Sequence, residues 1–336
     1  MKKFITCLLA LFLMAGLTAC ASSAAITSEP EKKGERYPER QIELVVPFAA
    51  GGGVDLAARA VAEYLSKEWG KPVIVVNKTG GGGIVGARYA LSEAKPDGYT
   101  ALMNNNSSTT MYEAGTNRPV LRLKDHMLAA RVAESPLVYA VRADAPWKDL
   151  RELTEWVKEN PENLSWASVG PAGFSSFGVA EWLSAAGIDY KKTRMVSSEG
   201  ASDSAAKVAG GHVLLAVHNA GEVYSLVQAG KLKVLAVQDG KRSPLYPDVP
   251  TTEELGFHGL TVKWWTGISL PAGTPEAIVK KWEAAVAKME KDKGFIGQLE
   301  KIYLQPSYLP SAEFKRSAER ELDWYAELAE ETGIRK

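Results

Sequence analysis

Apolar and polar positions along this chain switch repeatedly between two periods. Residues 42–48 (IELVVPF) form an apolar run of strand length. Residues 55–69 then place Leu56, Ala60, Val61, Tyr64 and Leu65 on one face, the spacing of an amphipathic helix. Asp55 reads as its N-cap and Gly70-Lys71-Pro72 as its stop. A second strand follows over 72–76 (PVIVV), then a glycine run and a short helix over 87–94. Asp97-Gly98 marks a turn before a strand over 99–103. Strand, helix, strand, helix, strand predicts a parallel sheet wrapped by helices.

The alternation then restarts. Residues 137–142 (LVYAVR) read as a strand, 147–159 as a helix, 165–168 as a strand and 176–186 as a helix ended by Gly187. A brief extended piece over 195–197 precedes a helix over 202–209. A strand over 213–217, a helix over 222–228 and a strand over 232–237 complete the second set. Beyond a bend rich in proline (Pro244, Pro247, Pro250), residues 262–270 run back as an extended segment. Long amphipathic helices over 275–291 and 312–331 close the chain. Two α/β lobes joined by two crossovers account for this order. Lobe 1 is expected to hold 37–142 and 263–336, and lobe 2 to hold 143–262.

The N-terminus has a different character. Lys2 and Lys3 precede an apolar run over 4–16, followed by Leu17-Thr18-Ala19-Cys20. A charged start, a short apolar core and small residues before the cleavage point make a secretory signal. The run is too short for a membrane span of about 20 residues. Its last four residues resemble a bacterial lipobox, in which the cysteine is lipidated and becomes the mature N-terminus. A signal peptide over 1–19, a lipid on Cys20 and a flexible tether over 20–36 are therefore expected. The tether's small, polar and charged residues cannot bury a core.

This assignment changes what the composition allows. The chain has 336 residues, two cysteines, 40 basic and 40 acidic residues. Cys7 lies in the signal and Cys20 carries the lipid, so no thiol remains for catalysis, disulfides or metal binding. Loss of Lys2 and Lys3 leaves 38 basic and 40 acidic residues, a net charge of −2. That balance argues against nucleic acid, which demands a basic face. Hydrophobic residues make up 46% of the chain, enough for the cores of two lobes.

Candidate chemistry sits at strand-to-helix turns. Pro47 to Asp55 (PFAAGGGVD) carries three glycines ahead of a helix. Backbone amides there can approach an anion, and the helix dipole favours one. A carboxylate suits it better than a phosphate, because no Gly-Lys-Ser/Thr follows. A tight turn with no ligand fits equally well. Gly81, Gly83 and Gly86 match G-x-G-x-x-G, but no acidic residue stands about 20 positions on, so a close-packed turn is the better reading. Gly173-Phe174-Ser175-Ser176-Phe177 opens a helix of the second lobe. Its serines can cap that helix or help to hold an anion. Asn104 to Thr110 (NNNSSTT) follows a strand end, where open α/β sheets bind ligands. Of the four histidines, His218, with Asn219 and Glu222, follows a strand end and is a candidate for lining a site. His126, His212 and His258 read as structural, and no pair has metal-ligand spacing. Trp264 and Trp265 either face a ligand or pack a crossover.

Taken in order, several segments resemble one family. Tyr37-Pro38-Glu39-Arg40-Gln41-Ile42 leads into Val45-Val46-Pro47-Phe48, Gly51-Gly52 and Asp55. Pro72-Val73-Ile74-Val75-Val76-Asn77, Pro96-Asp97-Gly98-Tyr99-Thr100 and Ala229-Gly230-Lys231-Leu232 follow. Arg242-Ser243, Pro247-Asp248-Val249-Pro250-Thr251 and Pro271-Ala272-Gly273-Thr274-Pro275 complete the set. Over residues 37–330 the chain is similar to the substrate-binding receptors of tripartite tricarboxylate transporters, also called Bug receptors. The resemblance implies a two-lobed periplasmic-binding-protein type II fold, with a hinge and a ligand cleft between the lobes. It also implies that a small organic carboxylate is held by Phe48, Ala49, Ala50, Gly51, Gly52 and Asp55 on one side. Gly173, Phe174, Ser175, Ser176 and Phe177 would face it from the other. Asn105, Asn106, Ser108, Ser198, His218 and Asn219 complete the candidate site.

The chain departs from the family where the far end of a ligand would lie. Phe177 stands where a histidine is common, and Val196-Ser197-Ser198-Glu199-Gly200 replaces a Val-Pro-Tyr-Lys-Gly segment. Leu214 and the pair His218-Asn219 replace an aspartate and an Asp-Asn pair. Two phenylalanines and Glu199 lead us to expect an uncharged, hydroxylated or aromatic far end rather than a fully ionised tricarboxylate. The expected protein is an extracytoplasmic, membrane-anchored lipoprotein and a monomer, with no cofactor, metal or enzymatic step. It would pass its ligand to the membrane subunits of a tripartite tricarboxylate-type transporter. The rival readings are a ligand sensor docking on a signalling partner and an exported α/β enzyme that uses a nucleotide.

Overall fold

The computed structural model describes residues 36–335. The expected signal peptide, the lipid-bearing Cys20 and all of the tether except Arg36 lie outside the described residues.

The first half builds β1 (Ile42–Val46), α1 (Gly53–Trp69), β2 (Val73–Asn77), α2 (Ile84–Arg88), β3 (Thr100–Asn105), α3 (Thr110–Ala114) and β4 (His126–Ser135). The middle builds β5 (Leu137–Arg142), α4 (Leu150–Glu159), β6 (Ser165–Ser168), α5 (Phe174–Ala185), β7 (Arg194–Ser197) and α6 (Ala201–Ala209). Then come β8 (Leu215–Asn219), α7 (Tyr224–Gln228), β9 (Leu232–Gln238) and β10 (Trp264–Pro271). The end of the chain folds as α8 (Glu276–Met289), α9 (Lys293–Lys301), β11 (Gln305–Pro310) and α10 (Ser311–Thr332).

Two sheets result, in the orders β11-β4-β10-β3-β1-β2 and β7-β6-β8-β5-β9. Both are mixed rather than wholly parallel. β1 runs parallel to β2 and β3, and β6 parallel to β7 and β8. The strands that follow a crossover run the other way: β10 against β3 and β4, β5 against β8 and β9. The chain passes between sheets at Pro136, between β4 and β5. Residues 137–142, expected in lobe 1, therefore belong to the second sheet. Their nearly continuous apolar character is that of a strand covered on both faces and carries no sign of which sheet it joins.

Two expected boundaries move for reasons of capping. α1 starts at Gly53 with Gly52 as N-cap, so Asp55 is its third residue. From there the Asp55 carboxylate accepts the Gly51 N–H at 2.9 Å. α4 starts at Leu150, because the Asp149 side chain caps the Glu152 N–H at 3.0 Å. The long strand β4 was not expected at all, nor were β11 and α9. β4 carries Arg131 and Glu134 among its apolar residues, and β11 contains two prolines at the sheet edge, the one place a sheet tolerates them.

The return crossover is held by a buried carboxylate. Glu181 on α5 is 3% exposed. It accepts hydrogen bonds from Thr261 N–H, Thr261 Oγ1 and Val262 N–H at 2.7, 2.8 and 3.0 Å, and from Gln238 Nε2 at 2.7 Å. Burial raises the carboxyl's pKa and these bonds offset part of that rise. The C-terminal helix α10 reaches across to α5: Phe177 and Tyr325 rings stack at 4.9 Å, and Ser184 Oγ donates to Glu331 at 2.7 Å.

Candidate functional site

The C-terminal ends of the parallel strands β1, β3, β6, β7 and β8 face a cavity of about 200 Å³ between the sheets. Ligands in open α/β sheets sit at such ends. The first sheet supplies Phe48 to Ala50 and Gly52 to Val54 from the turn after β1, Asn105 and Ser107 after β3, and Trp264 from β10. The second supplies Val169, Phe174 and Ser175 after β6, Glu199 to Asp203 after β7, and His218 and Glu222 after β8.

Three helices begin at this cavity. Residues from the first turns of α1, α5 and α6 line it. Each N-cap is a glycine that makes no side-chain cap: Gly52, Gly173 and Gly200. The first amides of an α-helix have no partner inside the helix and carry partial positive charge. Two helix starts were expected. The third, at Ala201, lies behind the segment singled out for departing from the family pattern.

Some of these amides are already bonded, and the bonds cross between the sheets. Phe174 N–H donates to Ser107 Oγ at 3.0 Å. Gly53 N–H donates to Glu222 Oε1 at 3.1 Å. The serine hydroxyls of α5 turn away from the cleft. Ser175 Oγ donates to Val217 C=O at 2.7 Å and Ser176 Oγ to Gly170 C=O at 3.0 Å. No lysine or arginine among the described residues lines the cavity. Asp203 is neutralised from its own helix: Lys207 Nζ donates to its Oδ2, as does Glu199 N–H at 3.0 Å. The Lys207 bond holds the Asp203 carboxyl below its ordinary pKa.

Of the candidate residues, Phe48, Ala49, Ala50, Gly52, Asn105, Phe174, Ser175 and His218 line the cavity. The rest lie beside it with other tasks. Asp55, 1% exposed, braces the turn through Gly51 N–H, Arg59 and Asn77. Burial alone would raise its pKa, but the bonds to Arg59, Gly51 and Asn77 outweigh burial and lower it. Asn106 donates to Lys263 C=O at 2.6 Å and tethers the crossover. Ser108 donates its N–H to Asn105 Oδ1 at 3.1 Å and fixes that side chain. A Cβ on Gly173 would stand 2.6 Å from Ser168 Oγ, so this glycine serves packing. Phe177, on α5 itself, is 0% exposed and adds no wall to the cavity. Ser198 and Asn219 are buried, each with an unpartnered polar atom, Oγ and Nδ2.

The sequence reading left Glu222 and Trp264 outside the site, although both had been noticed. Their signal was position alone: one follows the end of β8, the other opens the return strand. Trp265 instead packs on Phe314 at 5.0 Å and donates to Glu321 at 2.7 Å. His126 is buried against Ser269, its pKa pushed down to about 4 by desolvation. The glycines of the apparent dinucleotide motif do not reach the cavity. A Cβ on Gly86 would stand 2.5 Å from Lys78 C=O, and one on Gly83 would stand 2.9 Å from the Phe48 ring. They let the helix press against the strand and seat Phe48.

This fold and cleft define a solute-binding protein with two α/β halves. The family model described as tripartite tricarboxylate transporter family receptor matches residues 57–334. A UPF0065 protein from the gbd 5' region of Cupriavidus necator is 30% identical over 334 residues, covering 96% of this chain and 97% of that one. The structure of the periplasmic binding protein BugD superposes with a TM-score of 0.81 at 28% identity, over 89% of this chain and 100% of that one. MatC from Rhodopseudomonas palustris, solved with bound malate, gives a TM-score of 0.79 at 26% identity, over 87% of this chain and 99% of that one. The chain belongs to the tripartite tricarboxylate transporter receptor family, and its fold is of the periplasmic-binding-protein class expected from the sequence.

Proposed function

We propose that this protein captures a small organic carboxylate in the cleft between its two sheets and delivers it, unchanged, to the membrane subunits of a tripartite tricarboxylate-type transporter. The observation that carries this reading is the convergence of three helix N-termini on one cavity without a basic side chain. Such a cleft favours negative charge through backbone amides alone. Each helix end contributes about 0.3–2 kcal/mol, and each hydrogen bond to a charged group about 1.5–3 kcal/mol. Malate bound to MatC supports a carboxylate as the ligand class. A cavity of about 200 Å³ lies below the usual range of about 300–1,000 Å³ for ligand pockets, which fits an acid of a few carbons. The two sheets close over the ligand about the Pro136 and 239–263 crossovers, because the ligand binds the closed state alone.

The protein works as an extracytoplasmic monomer, tied to a membrane by lipid on Cys20. Among the described residues, no helix is long and apolar enough to cross a membrane. Mass spectrometry of the mature protein should find diacylglycerol on an N-terminal Cys20 that Cys20→Ser removes. Thermal-shift and calorimetric screening of mono-, di- and tricarboxylates and aromatic acids tests the binding reading. One small carboxylate should raise Tm, bind one to one, shrink the radius of gyration and be recovered intact. A screen in which no carboxylate binds, or a ligand that the pure protein turns over, would overturn it.

A further inference from the structure

Glu222 is a mostly buried carboxylate in the cleft. Its side chain is 14% exposed and lines the cavity. Oε1 accepts one amide hydrogen, from Gly53. Oε2 lies 3.6 Å from His218 Nδ1, outside hydrogen-bond range. Among the described residues, no lysine or arginine comes within ion-pair distance of it; His218 is its one recorded charge partner. A carboxylate taken out of water costs several kcal/mol unless a cation and further hydrogen bonds answer it. His218, whose side chain is 8% exposed, also lines the cavity, and its Nε2 is buried without a partner. Glu199 adds a third acidic residue to the lining beside Glu222 and Asp203, and Asp203 is already paired with Lys207.

The cavity thus has two unlike ends. One is made of first-turn amides of α5 and α6, of which Phe174 N–H is already held by Ser107 Oγ. The other presents Glu222 Oε2, a carboxylate oxygen with no hydrogen-bond donor on it among the described residues. We propose that the cleft is built for a small zwitterion, a carboxylic acid that also carries a protonated amine, with Glu222 as the residue that selects the ammonium. The proposal rests on the carboxylate reading above and names the chemistry of the ligand's other end. The ligand's carboxylate takes the amides, while its ammonium donates to Glu222 Oε2. A dicarboxylate of equal length would set its second charge against Glu222 in a water-poor cavity, where like charges repel strongly.

Matched probes test this by calorimetry at pH 7. For three to six carbons, each acid is offered as the plain acid, the ω-amino acid and the ω-dicarboxylate, with the α-amino acids alongside. At one chain length an amino form should bind at least tenfold tighter than the plain acid, and the dicarboxylate should bind no tighter than the plain acid. Glu222→Gln should erase the amino preference, since it removes the charge and keeps the shape. If plain acids or dicarboxylates bind and amino forms gain nothing, the zwitterion proposal fails while the carboxylate reading stands. If no carboxylate of any series binds the wild type, both fail. The wild-type ratios decide the matter even if Glu222→Gln does not fold. A folded Glu222→Gln that keeps the full amino preference would refute the assignment to Glu222.

Discussion

A single methyl group at Gly53 would probe how closely the two halves of the cleft meet. Gly53 is the first residue of α1 and does not adopt the left-handed backbone that glycine alone favours, so alanine suits the helix itself. The added Cβ would stand 2.9 Å from Asn219 Nδ2, 3.1 Å from Glu222 Oε1 and 3.4 Å from Trp264 Cζ2. The first two belong to the end of β8 and the turn after it, in the second sheet, so the methyl pushes on the opposite side of the cleft. Relief requires both Asn219 and Glu222 to withdraw, and Glu222 holds the Gly53 N–H. That loses a hydrogen bond to a charged group, about 1.5–3 kcal/mol, or roughly a 10- to 150-fold shift against the closed state. Gly53→Ala should keep a Tm near that of the wild type, and its affinity for the carboxylate found by screening should fall 10-fold or more. Combining it with Glu222→Ala should cost less than the sum of the two changes, because the truncated side chain no longer clashes. A folded Gly53→Ala protein with wild-type affinity would refute the idea that the loaded cleft closes on this residue.

Two further changes separate structural from ligand roles. Phe177→Ala should lower stability by about 3–5 kcal/mol, the usual cost of emptying a buried aromatic site, while leaving the ratio of mono- to dicarboxylate affinities unchanged; urea unfolding and calorimetry read the two, and a changed ratio would return Phe177 to the cavity wall. Glu290 has a buried, unpartnered Oε1, and desolvation, partly offset by Arg131, raises its pKa from 4.5 to about 8. An acid whose pKa is raised on folding contributes fully below pH 4.5 and loses that contribution as pH rises through 8. Glu290→Gln should therefore match the wild type near pH 4.5 and exceed it in stability above pH 8, by up to a few kcal/mol; an advantage independent of pH would count against this.

The alternation of periods was enough to read two α/β units, because strand-length apolar runs and amphipathic helices leave strong local patterns. Sheet membership was not readable in the same way. Leu137–Arg142 is apolar at nearly every position, which reports burial on both faces and nothing about the neighbour. β4 was hidden by Arg131 and Glu134, whose charges are answered by Ser307, by each other and by neighbouring helices. In the candidate site, the glycine turn before α1 and the start of α5 were legible because glycine and serine before a helix have local meaning. The start of α6 has the same local grammar in Gly200-Ala201-Ser202-Asp203, and was passed over because the segment was compared with a lysine it lacks. Phe177 shows the opposite error. Its difference from the histidine of the family pattern suggests a change of cavity wall, whereas the ring lies in the core against Tyr325.

The division between amides and side chains explains why class was easier to read than ligand. Every residue but proline carries an N–H, so a cradle of helix N-termini needs only glycines and small residues where the backbone must come close. It survives wide change elsewhere in the sequence, and this chain keeps it with no lysine at the cavity. What the proposed cradle cannot do is tell one acid from another, since each carboxylate presents the same two oxygens. Discrimination must fall to the side chains that line the cavity, among them Glu199, His218, Glu222 and Trp264. Three of these four are titratable and none is a lysine or arginine. A second carboxylate would meet repulsion there, and an ammonium would meet the Glu222 carboxylate.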